Sequence, residues 1–342
     1  EIIEDFESLS IEDMIAEEEM VLTITHNGYI KRTNLNTYRS QRRGGRGVQG
    51  ASSREEDFVE HLFVANTHSY ILFFTDKGKC YWVKVYDIPE GGRAAKGRAI
   101  VNLIGCEPDE KVSAFISVKE FNDDHFVVMA TEKGIVKKTK LSAYSNPRKK
   151  GIYAVEIRDG DKLIEARVST GDNDILLGTR NGKSIRFSEE QIRPSGRKTM
   201  GVKGITLSSE DDRLVGMLLI KREGTTVLVA TEKGFGKRTE ISQYRAQKRG
   251  GKGVLTMKTT DKVGKMVTIK EVVDKDDLMI ITNQGVLIRQ PVSQIRAIGR
   301  ATQGVKLIKL GEGTLVSSIT RIMSEEDSGD ENNSTEPKGN TE

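Results

Sequence analysis

The sequence predicts an all-β chain folded as a ring of four-stranded blades. Three observations predict it. One motif recurs six times in a single register, the apolar runs are rich in β-branched and aromatic residues, and helix-period patterning is nearly confined to residues 8–19. In the motif, an apolar run ends in Thr and Gly follows three positions on: Thr25–Gly28, Thr75–Gly78, Thr131–Gly134, Thr179–Gly182, Thr231–Gly234 and Thr282–Gly285. Successive glycines lie 50, 56, 48, 52 and 51 residues apart. A period of that size is the mark of a repeat architecture.

Each unit reads as strands. Met20–Thr25, Tyr70–Thr75, Phe126–Thr131 and Leu278–Thr282 suit a pleated, half-buried surface. The Asn-Gly and Lys-Gly pairs that follow supply the positive-φ residue of a tight hairpin. A second strand ends in basic residues: Lys31-Arg32, Lys137-Lys138, Arg186, Lys237-Arg238 and Arg289. Ten residues after each hairpin Gly stands Tyr38, Ile88, Tyr144, Ile192, Tyr244 or Ile295, which reads as a packing position. A second Gly (Gly47, Gly97, Gly151, Gly201, Gly253, Gly304) opens a third strand, such as Ile152–Ile157 or Val305–Leu310. A fourth follows, as in Leu62–Ala65, Val112–Val118, Leu214–Ile220 and Leu315–Ile322. Repeated four-stranded units are expected to pack around a centre, each blade covering its neighbours' faces. The WD dipeptide pattern is missing.

Charge divides the chain into three. Residues 1–19 carry −9 and residues 324–342 carry −6, so the body between them carries about +19, although the whole chain is only +4. We read 1–19 as an acidic linker with a short helix near Ile11–Glu18. Residues 20–323 are the repeat body, with units starting near 20, 70, 126, 174, 226 and 278, and 324–342 is a disordered acidic tail. A body so basic calls for a polyanionic partner. No run of 18 apolar residues is present, so no membrane span is expected. The two cysteines, Cys80 and Cys106, fit free thiols in a reducing cytosol. The chain opens on Glu1 rather than Met, as a piece of something longer would, and no signal peptide is read in it.

The loop before the second Gly carries the chemistry. In unit one it is Gln41-Arg42-Arg43-Gly44-Gly45-Arg46-Gly47; in unit five it is Gln247-Lys248-Arg249-Gly250-Gly251-Lys252-Gly253, in the same register. The other loops are basic but looser. They carry Arg93, Lys96 and Arg98; Arg148, Lys149 and Lys150; Arg197 and Lys198; and Arg300. Glycines let backbone N–H groups approach an anion, Arg offers a fork that fits phosphate oxygens, and Lys a point charge. Such contacts position a nucleic acid without reading its bases. Sequence-specific RNA binding relies on exposed aromatics, whereas aromatics are 6% here and the only Trp is Trp82, so duplex DNA is the expected ligand. Bending 20–30 bp by 40–90° costs on the order of 1–6 kcal/mol, which favours contacts from several blades over one loop.

Other signals are weaker. Gly178–Ser184 resembles a phosphate-binding loop but has three residues between its glycines where four are needed. His26, His61, His68 and His125 show no zinc spacing with the cysteines, and Glu55-Glu56 and Asp211-Asp212 read as solvated loop acids. No catalytic residue, metal site or cofactor site is nominated.

The box at 41–47, together with Glu55-Glu56-Asp57-Phe58, Val64-Ala65-Asn66-Thr67-His68 and Ile100-Val101-Asn102-Leu103, resembles the C-terminal domains of DNA gyrase A subunits. The likeness spans about residues 8–323, with Arg46 where the family box has Lys. The resemblance implies a six-bladed β-pinwheel that wraps DNA around its rim with fixed handedness. That wrap enables ATP-dependent negative supercoiling, with Gln41 through Gly47 as the essential wrapping element. It also implies partners: duplex DNA, the upstream part of the gyrase A subunit, and the gyrase B subunit. The isolated domain is expected to be a monomer, in the cytoplasm on the bacterial chromosome. The cleaving tyrosine, the ATPase and the ATP and Mg they use would belong to other parts of the holoenzyme. The second box, at 247–253, departs from the one-box family pattern. We expect Lys248, Arg249 and Lys252 to add phosphate contacts, and the tail to compete with DNA for the rim. The alternatives are the corresponding topoisomerase IV domain, which serves decatenation and wraps poorly, and a propeller-like protein-interaction platform.

Overall fold

The computed structural model describes residues 11–34, 57, 59–92, 95–220, 224–284 and 286–322. Features expected from sequence that lie outside them are residues 1–10 of the acidic linker, Tyr38, the box Gln41–Gly47, the pair Glu55-Glu56, Phe58, Arg93, the sixth hairpin glycine Gly285 and the tail 324–342. In chain order the strands are β1 (Glu19–Thr25), β2 (Tyr29–Asn34), β3 (Val59–Asn66), β4 (Tyr70–Thr75), β5 (Lys79–Lys84) and β6 (Arg98–Ala99). Then come β7 (Val112–Val118), β8 (Phe126–Thr131), β9 (Ile135–Lys140), β10 (Ile152–Tyr153), β11 (Leu163–Ser169) and β12 (Asp174–Thr179). Next are β13 (Lys183–Ser188), β14 (Val202–Lys203), β15 (Leu214–Ile220), β16 (Thr226–Thr231), β17 (Phe235–Glu240) and β18 (Val254–Leu255). The last are β19 (Met266–Val272), β20 (Asp277–Thr282), β21 (Leu287–Pro291), β22 (Val305–Lys306) and β23 (Val316–Ile322).

They form six antiparallel blades. Five are four-stranded, in the orders β3-β1-β2-β6, β7-β4-β5-β10, β11-β8-β9-β14, β15-β12-β13-β18 and β19-β16-β17-β22. Among the described residues the sixth has three strands, β23-β20-β21. The short edge strand of each four-stranded blade comes from the following unit, so the third strands of units two to six join the preceding unit's sheet. It is also only two residues long, not six as the sequence reading has it. The glycine before it explains the crossing. Gly253 has φ +69°, and a Cβ there would lie 2.4 Å from the Ser184 carbonyl of the preceding blade.

The Thr of each motif has a definite task. A ladder irregularity falls at or beside it in every blade. Its Oγ1 accepts the N–H four residues on, as in Lys79 to Thr75 at 3.3 Å and Val286 to Thr282 at 3.0 Å. The hydroxyl thus satisfies a donor that the tight turn leaves over. Asp212, read as a solvated acid, is buried and accepts the hairpin N–H of Asn181 at 2.9 Å.

The core lies between blades. Leu72 and Phe74 of β4 pack with Val127 and Met129 of β8, and the same arrangement repeats around the molecule. Ile88, Tyr144, Ile192, Tyr244 and Ile295 are all buried, as the sequence reading expects of packing residues. The strands β3, β7, β11, β15, β19 and β23 neighbour one another around the centre. The ring closes there: Thr320 of β23 donates to the Glu60 carboxylate of β3 at 2.6 Å.

Two helical features differ from expectation. The helix near Ile11–Glu18 is a single 3-10 turn, Ile11–Met14, and the segment after it is tied to the ring through His68 and Thr67. A five-residue helix, α1 (Ile100–Ile104), goes unread because it is too short to show a period.

Candidate nucleic-acid interface

The inner strands line the centre, so the edge strands β6, β10, β14, β18 and β22 mark the outer rim, and the basic loops lead into them. Lys96, Arg98, Arg148, Lys149, Lys150, Lys198, Lys248 and Lys252 are exposed there. None of the eight pairs with a carboxylate among the described residues. Cations beside the hairpin turns behave otherwise, with Lys77 3.4 Å from Asp109 and Lys162 3.3 Å from Glu132. Exposed cations without a carboxylate partner, grouped in the same loop of successive blades, are what a polyanion needs, since no existing ion pair has to be broken.

The second-strand cations are a correction. Lys31, Arg32, Lys137, Lys138, Arg186, Lys237 and Arg238 are expected as DNA contacts, yet their charged heads point into the seam between blades. Four residues after the hairpin Gly stands a latch onto the next blade. Arg32 Nε donates to the Ile88 carbonyl at 2.7 Å, Trp82 Nε1 to Tyr144 at 2.9 Å, and Arg238 Nε to Ile295 at 2.7 Å. Arg186 reaches the carbonyls of Tyr244 and Ile241 and pairs with Asp174 at 2.6 Å. Lys138 sits 3.4 Å from the carboxylate of the fully buried Glu189. One position earlier, Lys31, Lys137 and Lys237 are buried and donate to loop carbonyls of the next blade. Burial, reinforced by the Arg197 charge, brings Lys137 down to about 7. Burial and the Arg300 charge bring Lys237 to about 8. The physical reason is strand position: neighbours such as Lys31 and Arg32 leave opposite faces of the strand, yet both end under the loop that the next unit carries in with its edge strand. Arg289 of blade six remains exposed but holds Asp277 at 2.5 Å.

The box at 247–253 is clamped. Gly250 N–H donates to the Gly204 carbonyl at 2.7 Å, and the Thr206 hydroxyl returns a bond to Gly250 at 2.7 Å. Arg249 does not face outward. Its backbone N–H meets Gln191 Oε1 at 2.8 Å, its Nε the Gln191 carbonyl at 3.2 Å and its Nη1 the Lys203 carbonyl at 2.5 Å. Arg300 repeats the arrangement on Gln243 and Leu255. Only Lys248 and Lys252 of the box are free to meet an anion, while Arg249 and Arg300 shape the loop. The half-buried Arg197 gives its carbonyl to Lys137.

Sequence reasoning missed Lys203 and Lys306, exposed on the edge strands, and Arg193, Arg245 and Arg296, exposed at the turn. The signal was there: those arginines all stand eleven residues after the hairpin Gly. The Gly178–Ser184 segment is the β12–β13 hairpin, with Gly182 at φ +82° and no helix behind it. No helix among the described residues is long and apolar enough to cross a membrane.

The six blades coincide with six matches to one family, the DNA gyrase C-terminal domain, beta-propeller, at residues 19–66, 69–119, 125–170, 173–221, 225–272 and 276–322. The chain belongs to that family. The DNA gyrase A subunit of Staphylococcus aureus (strain COL) is 46% identical over 338 residues, which are 98% of this chain and 38% of that protein. The DNA gyrase A subunit of Staphylococcus epidermidis (strain ATCC 12228) is 47% identical over 323 residues, 94% of this chain and 36% of that protein. The chain therefore spans just over a third of the length of these relatives. Among solved structures, the C-terminal domain of DNA topoisomerase IV is similar at TM-score 0.80 and 26% identity, over 91% of this chain and 95% of that one. The DNA gyrase A C-terminal domain is similar in fold at TM-score 0.68 and 24% identity, over 90% of this chain and 100% of that one.

Proposed function

We propose that this chain binds duplex DNA without regard to sequence and wraps it around the ring's outer rim with a fixed handedness. The wrap would serve negative supercoiling by a gyrase holoenzyme. The observation that carries the reading is the set of exposed cations, without a carboxylate partner among the described residues, in the rim loops and edge strands: Lys96 and Arg98, Arg148 to Lys150, Lys198 and Lys203, Lys248 and Lys252, and Lys306. Arg42, Arg43 and Arg46 would add to them from the first box. Each phosphate neutralised contributes about −0.9 to the logarithmic salt slope, so several blades together outweigh the elastic cost of a bend. In the holoenzyme the chain would work beside the rest of the gyrase A subunit, together with the gyrase B subunit. Strand cleavage and ATP hydrolysis, with ATP and Mg, would lie in those parts, and the chain by itself would be monomeric. Its setting would be the cytoplasm, on the chromosome. The acidic tail would compete with DNA for the rim.

The test is topological. The chain is incubated with nicked circular plasmid, the nick is ligated, and the linking-number change is read on a two-dimensional gel. A positive shift, lost when Arg42, Arg43 and Arg46 are changed to Ala, supports chiral wrapping. The likeness to the topoisomerase IV domain favours one rival, a domain that binds but wraps poorly; retention of DNA without a shift would establish that reading instead. Absence of binding at low salt would leave a protein-interaction platform.

A further inference from the structure

The six seams between blades are of two alternating kinds. Three residues after the hairpin Gly, units one, three and five carry Lys31, Lys137 and Lys237, while units two, four and six carry Tyr81, Ile185 and Ile288. Tyr81 packs in one core cluster with Ile88 of its own unit and Ile185 in one with Ile192, whereas the lysine units carry Tyr144 and Tyr244 at that packing position. Loops of both classes share the Gln clamp, seen at Arg249 and Arg300, and a loop that follows a lysine unit also receives an ammonium.

Loops over a lysine are drawn inward by their carbonyls. Lys31 Nζ donates to Gly92 and Ala95, both at 2.9 Å. Lys237 Nζ gathers the carbonyls of Gly299, Arg300 and Thr302. Lys137 Nζ holds Arg197 and, at 2.7 Å, Ala154. Gly92 and Gly299 occupy one register position, and so do Ala95 and Thr302. A trans peptide sets its N–H opposite its C=O, so a carbonyl fixed inward sends the next N–H outward. Of the N–H groups that follow these carbonyls, Arg300 donates to Gln243 Oε1 and Val155 to the Gly78 carbonyl, while those of Lys96, Lys198, Ala301 and Gln303 donate to no described residue. The box at 247–253, which follows Ile185, is held by Thr206 and Gln191, and among the described residues no lysine ammonium donates to its carbonyls.

We propose that Lys31, Lys137 and Lys237 are positioning residues for phosphate binding: each ammonium turns the loop of the following blade carbonyl-in and amide-out. The amides of Lys96, Lys198, Ala301 and Gln303 then become ligands for phosphate oxygens on blades two, four and six. Phosphate contacts of this backbone type would alternate around the rim with contacts made by side chains alone. The inference rests on the proposed DNA-binding function. It explains why the lysines keep an ammonium in an apolar seam where Ile or Tyr serves the other three units. Converging carbonyls are the environment that keeps a buried ammonium tolerable.

The experiment follows amide resonances of the isotope-labelled 342-residue chain during titration with a 20-bp duplex, and repeats the salt dependence of binding for Lys237→Met. The amides of Lys198, Ala301 and Gln303 should shift with the duplex. In Lys237→Met the shifts at Ala301 and Gln303 should vanish while that at Lys198 persists, and the salt slope should fall by about 1, one phosphate contact. Val292→Ala, which weakens the same blade's core without touching the lysine, should lower the melting temperature and leave the slope unchanged. Amides that stay still while duplex binds overturn the proposal, as does an unchanged slope in a folded Lys237→Met. Should Lys237→Met not fold, the wild-type titration decides alone. If the wild type retains no duplex, the DNA reading fails, and titration with inorganic phosphate tests the same amides separately: shifts there uphold the loop proposal and silence overturns it.

Discussion

Arg238→Met separates the two roles open to the second-strand cations. The substitution keeps the aliphatic stem and removes the guanidinium, whose Nε donates to the Ile295 carbonyl at 2.7 Å. A hydrogen bond from a charged donor is worth about 1.5–3 kcal/mol, and a carbonyl stranded in a buried seam costs about 1–3 kcal/mol. The pair with Asp274 adds little, because that carboxylate side chain is 78% exposed. These contributions overlap, so we expect a loss of about 2–4 kcal/mol at the seam between the fifth and sixth blades. Urea unfolding reads the total. Faster exchange of the Ile298 amide, which donates to the Arg238 carbonyl, localises it to the seam. Affinity for duplex DNA and its salt slope should stay at wild-type values, because the guanidinium never reaches the rim. A salt slope reduced by about 1 with unchanged stability would refute the latch and restore Arg238 as a phosphate contact.

Replacing Lys248 and Lys252 together by Ala should lower the salt slope by about 2 with little change in unfolding midpoint, whereas Arg249→Ala should lower the midpoint by urea denaturation. Gly253→Ala places a Cβ 2.4 Å from a carbonyl at φ +69° and should destabilise by more than about 2 kcal/mol; Gly28→Ala, with φ +77° and open space, should cost about 1–2 kcal/mol, and thermal melts rank the two. Lys137 binds its proton less tightly folded, at about 7, than at its ordinary value of 10.5. Its burial therefore costs stability fully below about pH 7, and that cost is relieved as pH rises towards 10.5. Unfolding free energy measured between about pH 7 and 10 should rise more steeply for the wild type than for Lys137→Met.

The blade count was legible because Thr and Gly at the hairpin serve backbone needs that only those residue types meet. The motif Thr supplies an oxygen for the turn's leftover N–H, and the motif Gly accepts positive φ. Local demands of this kind act within four residues, so they leave a mark in sequence. The Tyr and Ile packing positions were legible for the same reason: a large apolar side chain at a fixed offset has one use. The exposed loop lysines also fell where the Gly-rich boxes predicted them.

What misled the sequence reading was direction. A basic residue at the end of a strand looks the same whether it faces solvent or a seam. Lys31 and Lys237 became interior residues because the next unit lends its edge strand to theirs, and that loan is a long-range event with no local signature. Arg249 and Arg42 would be read alike from a string of basic letters. Only Arg249's three donors, laid on the carbonyls of Gln191 and Lys203 and on the Gln191 side chain, assign it to the loop's framework.

By itself, then, the sequence determined the repeat, the strand character, the basic body and the position of each loop, because turns, periodicity and charge are set by near neighbours along the chain. Tertiary structure alone decided which cations remain for a partner, which are spent on carbonyls between blades, and that the first blade meets the last. Those outcomes depend on what lies some 50 residues away in sequence, where an ammonium finds either water or a ring of carbonyls.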